Sequence, residues 1–153
     1  MSFRNAVQAV PALAGAYQTG LQALCAADRH RVVCARPRRL RGSVDVDSAL
    51  TAAHPNDPRW DYAIGHYNGN AEEAIWVEVH PASSGHVSQV TGKARWLRAW
   101  LRRNALALLN MTRTNDGYVW LSSGGIAIQR GSRQARELAS VGVSFPRRQL
   151  TLN

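Results

Sequence analysis

Lysine is nearly missing from this chain: of its 19 basic residues, all but Lys93 are arginine. Acid is scarce too, with only 10 Asp and Glu, which leaves a net charge of +9 and a pI near 11.0. Such an excess argues against cationic partners and favours a polyanion. The two cysteines, Cys25 and Cys34, are too few for a disulfide framework, so free thiols and a reducing compartment are expected. No apolar run approaches the ~18 residues that cross a bilayer, and residues 1–5 show no basic segment leading into an apolar core. The expectation is a cytoplasmic protein without a membrane partner.

What is present can build a core. The chain has 153 residues, 45% of them hydrophobic, with five Trp, which is a globular composition and the length of one domain. No repeat or interdomain linker divides it. Val7, Val10, Leu13, Tyr17, Leu21 and Leu24 recur at helical spacing, so residues 3–27 read as a helix or helix pair bent or divided by Pro11 and Gly20. A basic connector or short strand at 29–41 follows, carrying Arg29, Arg31, Arg36, Arg38, Arg39 and Arg41 around the short apolar run 32–35.

The core is expected over about 42–128. Val44 and Val46 suggest a strand, and 54–58 is turn-rich. Residues 60–67 and 74–80 are β-type runs separated by Asn68-Gly69-Asn70, which predicts an antiparallel hairpin. A polar loop at 82–85 leads into a helix with an apolar stripe of Val87, Val90, Ala94, Leu97, Leu101, Ala105 and Leu108, its other face carrying Arg95, Arg98 and Arg102. Residues 118–121 read as a strand, 122–125 as a turn and 126–128 as a return to the sheet. Ser132 caps a helix through Ala139, and the tail to 152 reads as an edge strand, since Pro146 disfavours a central one. The fold class is α/β: a central mixed sheet with an antiparallel hairpin, flanked by helices.

Chemistry concentrates on that hairpin. Alternation along residues 74–80 puts Trp76, Glu78 and His80 on one face and Ile75, Val77 and Val79 on the other. If the loop has four residues, so that Tyr67 faces Glu72, Asp61 lies opposite Glu78; a two-residue Asn68-Gly69 turn instead sets Asp61 opposite Trp76, with Glu78 diagonal. Both registers keep the carboxylates on one face. Opposed Cβ atoms lie roughly 5 Å apart, so the pair needs a shared proton, a basic neighbour or a cation. Magnesium takes one or two carboxylates and keeps waters, leaving room for phosphate oxygens, while manganese better tolerates His80.

Asp61, followed seventeen residues later by the Glu78-Val79-His80 strand and then a helix, resembles the PD-(D/E)XK restriction-endonuclease-like nuclease superfamily. The resemblance spans roughly residues 5–125. It implies a core of helix, three strands, helix and strand, and a metal-dependent phosphodiesterase acting on nucleic acid, in which Asp61 and Glu78 hold Mg or Mn. The pattern departs in two places. His80 stands where the strand lysine belongs, and the first helix offers Gln8, Gln18 and Gln22 but no Glu. Some members supply the lysine from the following helix, which makes Lys93 the candidate for that role, with Lys93 or His80 assisting the water. Arg36, Arg38, Arg39, Arg41, Arg95, Arg98 and Arg102 are the candidate backbone contacts.

Each feature also has a plainer reading. Asp61 can pair with Arg59, Glu78 with a buried Arg, His80 can be a packing histidine, and Lys93 and the arginines can be solvated. Trp76, Trp96 and Trp100 read as core or rim before base-stacking platforms. Asp45 and Asp47 are solvent-facing or start a short helix. Cys25, His30 and Cys34 lack a fourth zinc ligand, and Ser83 and Ser84 near His86 lack a nucleophile-elbow motif. The alternative function is a catalytically inactive nuclease-like module that binds nucleic acid or a protein, a homodimer partner included.

Overall fold

The computed structural model describes residues 1–153. The Asn68 carboxamide oxygen accepts the Asn70 and Ala71 N–H groups at 2.9 and 3.0 Å, and Gly69 takes φ +103°, so residues 68–71 close a four-residue loop. That loop pairs Tyr67 with Glu72 and joins β4 (Tyr62–Tyr67) to β5 (Glu72–Ser83). β3 (Leu40–Asp45) pairs antiparallel with β4, and β1 (Tyr17–Gln18) with β3. After β5 the chain turns through a short 3₁₀ segment, Ser84–His86, into α5 (Val87–Asn104) and α6 (Leu106–Asn110). It returns as β6 (Tyr118–Ala127), parallel to β5, giving a mixed sheet of order β1-β3-β4-β5-β6. The α/β class expected from the pattern is the class found.

Alternation assigns the sheet two apolar faces. On one, Ala63, Trp76 and Trp120 pack against Val90, Leu97 and Leu101 of α5 and against α1 (Phe3–Gln8), α2 (Pro11–Ala14) and α4 (Val46–Leu50). On the other, Ile64, Ile75, Val77, Val119 and Leu121 pack against Leu24 and a small parallel sheet of β2 (Val32–Cys34) and β7 (Leu150–Leu152). Burial of each such aliphatic side chain contributes ~1.5–3 kcal/mol. α3 (Ala26–Arg29) leads into β2, and α7 (Arg133–Ser140), capped by Ser132, adds Leu138 to the helical layer.

Several expected boundaries are corrected. Residues 15–25 are not helical: Leu13 belongs to one core and Leu24 to the other, and a single helical stripe cannot serve both faces of a sheet. Pro11 opens α2, Tyr17 joins the sheet edge, and Gly20 turns the chain at φ +53°. The stripe beyond Asn104 breaks at Ala105 and resumes in α6. Asp45 accepts the Ser48 N–H at 3.0 Å and so starts α4, which ends β3. The tail follows β6 through bonds such as Arg147 N–H to the Trp120 carbonyl, but becomes a strand only at 150–152, on β2.

The largest correction lies past His80. The loop expected at 82–85 and the turn at 122–125 belong largely to the two extended strands, separated by a bulge. His80 pairs with Ser122 and Ala82 with Ile126, so β6 advances four residues while β5 advances two. Pro81, which cannot donate, sits at that irregularity. The Ser122 hydroxyl stands 2.9 Å from both the Gly124 and the Gly125 carbonyl and accepts the Gly124 N–H at 3.2 Å, holding the bulge open.

Gly65 sits where α1 crosses β4, and a Cβ there would overlap the Phe3 ring. We expect Gly65→Ala to destabilise the fold by about 1–3 kcal/mol, read as a lower thermal midpoint of about 2–4 °C per kcal/mol; an unchanged midpoint would show that Phe3 moves freely.

Candidate active site

The four-residue loop propagates along the hairpin to Tyr62 opposite Val77, and one step further brings Asp61 beside Glu78. The Asp61 N–H donates to Glu78 Oε1 at 3.2 Å, while Asp61 Oδ2 accepts the Val79 N–H at 3.0 Å. The Asp61 carbonyl accepts the Val46 and Asp47 N–H groups at the start of α4, so its backbone is pinned from two elements. Glu78 is fully buried. Its Oε2 accepts Lys93 Nζ at 2.5 Å from the second turn of α5, and His80 Nδ1 lies 3.5 Å from the same oxygen.

Lys93 therefore does not extend into solvent; its stem runs along the apolar stripe and its ammonium neutralises Glu78. His80 is held on its other side, Nε2 standing 3.2 Å from Gln89 Oε1, and its ring meets His86 edge to face at 5.0 Å. Burial, then the nearby Glu78 charge, pushes the Asp61 carboxyl up to about 7, against the Val79 N–H and Lys93. The pair thus carries a proton near neutrality, and Asp61 holds it because Glu78 has the ammonium.

Against protein-family models, curated proteins and solved structures alike, the chain has no match. Its residues alone carry the functional reading.

Asp61, Glu78, His80 and Lys93 converge; the arginines do not. Arg41 pairs with Glu72 at 2.9 Å and lies over the Tyr67 ring, and Arg39 reaches the Asn153 carbonyl, all at the end of β3 that pairs with His66, away from Asp61. Arg36 and Arg38 are exposed beside them. Arg95, Arg98 and Arg102 lie about 140–200° around α5 from Lys93. Arg98 covers the Tyr118 ring at 4.5 Å, and Arg95 and Arg102 face solvent. Arg59 pairs with Asp47 at 2.9 Å, not with Asp61. Trp76 and Trp100 are core, and Trp96 packs edge-on against His54. Cys25 and Cys34 are free thiols, and no group of three or more His, Cys, Asp and Glu gathers as a closed metal site.

Magnesium needs no such closed group. Asp61, just before β4, and Glu78, on β5, supply hard oxygens, Asp61 Oδ1 accepts no hydrogen bond, and the proton on Asp61 marks a charge that a cation would relieve. Asp61 and Glu78 are the residues that could hold a divalent cation, Glu78 already engaging the Asp61 N–H and Lys93. Three neighbours escaped the sequence reading as site residues: His86, Ser83 and Gln89. Their signal is the spacing of Ser83, His86 and Gln89 three residues apart at the strand-to-helix turn, legible only once His80 is known to face them.

Two measurements test this geometry. The folded state retains a proton on Asp61 that the unfolded chain releases near its ordinary carboxylate range, so stability should fall as pH rises from about 4 to about 7. Asp61→Asn should remove most of that slope in thermal unfolding; equal slopes would place the proton elsewhere. Lys93→Met leaves the buried Glu78 carboxylate unpaired and should cost about 3–5 kcal/mol in urea unfolding. Adding Glu78→Gln should recover most of it.

Proposed function

We propose that this protein is a divalent-metal-dependent phosphodiesterase acting on nucleic acid, with Asp61 and Glu78 as the metal-holding pair and Lys93 as a lysine relocated from strand to helix. The observation that carries the reading is the meeting of Lys93, the single lysine of the chain, with the one fully buried carboxylate, itself in register with a second. Two carboxylates and an ammonium meet at interior strands of an apolar sheet, where each charge is costly to desolvate. The order α1, β3, β4, β5, α5, β6 supports the same family resemblance. The net charge of +9 supports a polyanionic substrate, and two free thiols suit the cytoplasm.

A divalent cation at Asp61 and Glu78 supplies, when bound, polarisation of a phosphoryl oxygen and of the attacking water. The Lys93 ammonium, 2.5 Å from Glu78 Oε2, is held to stabilise charge developing on the phosphoryl group. His80, fixed between Glu78 and Gln89, orients the water or takes its proton.

One observation favours a second reading. Both Glu78 oxygens already have partners, Asp61 N–H and Lys93, so an inactive nucleic-acid-binding or protein-interaction module would need no metal.

Calorimetric titration with manganese and magnesium, paired with cleavage assays on DNA and RNA, separates the two. We expect metal binding and cleavage in wild type and loss of both in Asp61→Ala/Glu78→Ala, with Lys93→Met retaining metal but losing about 10²–10³-fold in rate. Wild type that neither binds metal nor cuts any substrate would leave the binding module.

A further inference from the structure

The bulge beyond His80 opens a cleft of about 550 Å³ at the carboxyl ends of β5 and β6. One wall is residues 81–83 with His86, the other is residues 123–127. It adjoins the carboxylate site through the rings of His80 and His86, which meet edge to face. Ser83 Oγ lies 2.6 Å from His86 Nδ1 and fixes that ring at the cleft wall. No acidic residue lines the cleft, in a surface whose neighbouring site holds two. The guanidinium of Arg148 lies 3.9 Å from where a Cβ on Gly125 would stand. Gly124 and Gly125 put no side chain into the cleft, the Gly124 N–H being held by the Ser122 hydroxyl, and Ile126, exposed beside Pro81, offers an apolar wall.

We propose that this cleft seats a single polynucleotide strand, its phosphates against His86 and Arg148 and a base face on Ile126 and Pro81. The inference rests on the phosphodiesterase reading for what happens next door and adds its substrate class: single strands or frayed ends. The volume is that of a pocket for drug-sized ligands, with room for one or two nucleotides. Stacking and backbone contact without base-edge readout make such sites tolerant of sequence.

The two glycines provide the test, because a side chain on Gly124 meets open space and one on Gly125 meets only the Arg148 guanidinium at 3.9 Å, so both fill the cleft. Anisotropy of labelled oligo-dT, oligo-rU and a hairpin duplex would be measured at low salt in EDTA, so that binding is read without catalysis. Wild type should bind a single strand more tightly than the duplex, and the arm that responds distinguishes DNA from RNA. Gly125→Leu, Gly124→Leu and His86→Ala should each weaken that binding roughly tenfold, the worth of one stacking or phosphate contact. Gly92→Leu, in open space on α5, should not. Thermal midpoints identify any variant that misfolds, and either glycine variant alone suffices. Wild-type affinity in both glycine variants, duplex binding as tight as single-strand binding, or no oligonucleotide binding would overturn the proposal. Cleft-dependent binding without cleavage in metal would sink the catalytic reading and keep the cleft. Cleavage undiminished in Gly125→Leu would do the reverse.

Discussion

The register of one hairpin governs this molecule. Side chains alternate along a strand with period two, so a slip of one residue would turn Glu78 to the face now occupied by Ile75 and Val77 and expose Trp76 to the wrong core. The four-residue loop held by Asn68 prevents that slip. It also decides that Asp61 meets Glu78, that Glu78 faces α5, and that Lys93 lies within reach. Fold and site therefore rest on the same short set of hydrogen bonds.

Around that register the site balances charge among its own side chains. Glu78 is buried among tryptophans and aliphatic residues, and Lys93 supplies the charge that makes this tolerable. Asp61 is left with a repelling neighbour and few donors, so it holds a proton near neutrality. A carboxyl poised in this way is a common mark of functional sites, where groups are held away from their most stable ionisation. His80, Gln89, His86 and Ser83 continue the polar chain outward to the bulge, which makes one connected edge of the sheet from buried carboxylate to open cleft.

The arginines tell a different story from the one their density suggests. Arg41 and Arg98 are spent on Glu72 and on aromatic rings, and Asp116 ties Arg113, Arg147 and Ser144 together, anchoring the tail. Burial works against the Asp116 charge, yet Arg147 and Ser144 hold its carboxyl below the ordinary range. The positive charge is spread over the whole surface, whereas the groups gathered at the carboxylate site are ones the charge count overlooks.

The sequence by itself determined the α/β class, the hairpin, the amphipathic α5, the Ser132 cap and the shared face of Glu78 and His80, because these follow from local periodicity and turn chemistry. It narrowed Asp61 and Glu78 to two registers and singled out Lys93 by composition. Tertiary structure decided the rest. Residues 17–25 lose their helix because the chain must pass from one sheet face to the other, which no local pattern records. The segment after Pro81 stays in the sheet because β6 is there to receive it through a bulge, although proline and serine alone signal a loop. Whether Lys93 is solvated or paired, and whether an arginine binds phosphate or a neighbouring ring, depends on what lies across space from each, and that is set only when the layers close.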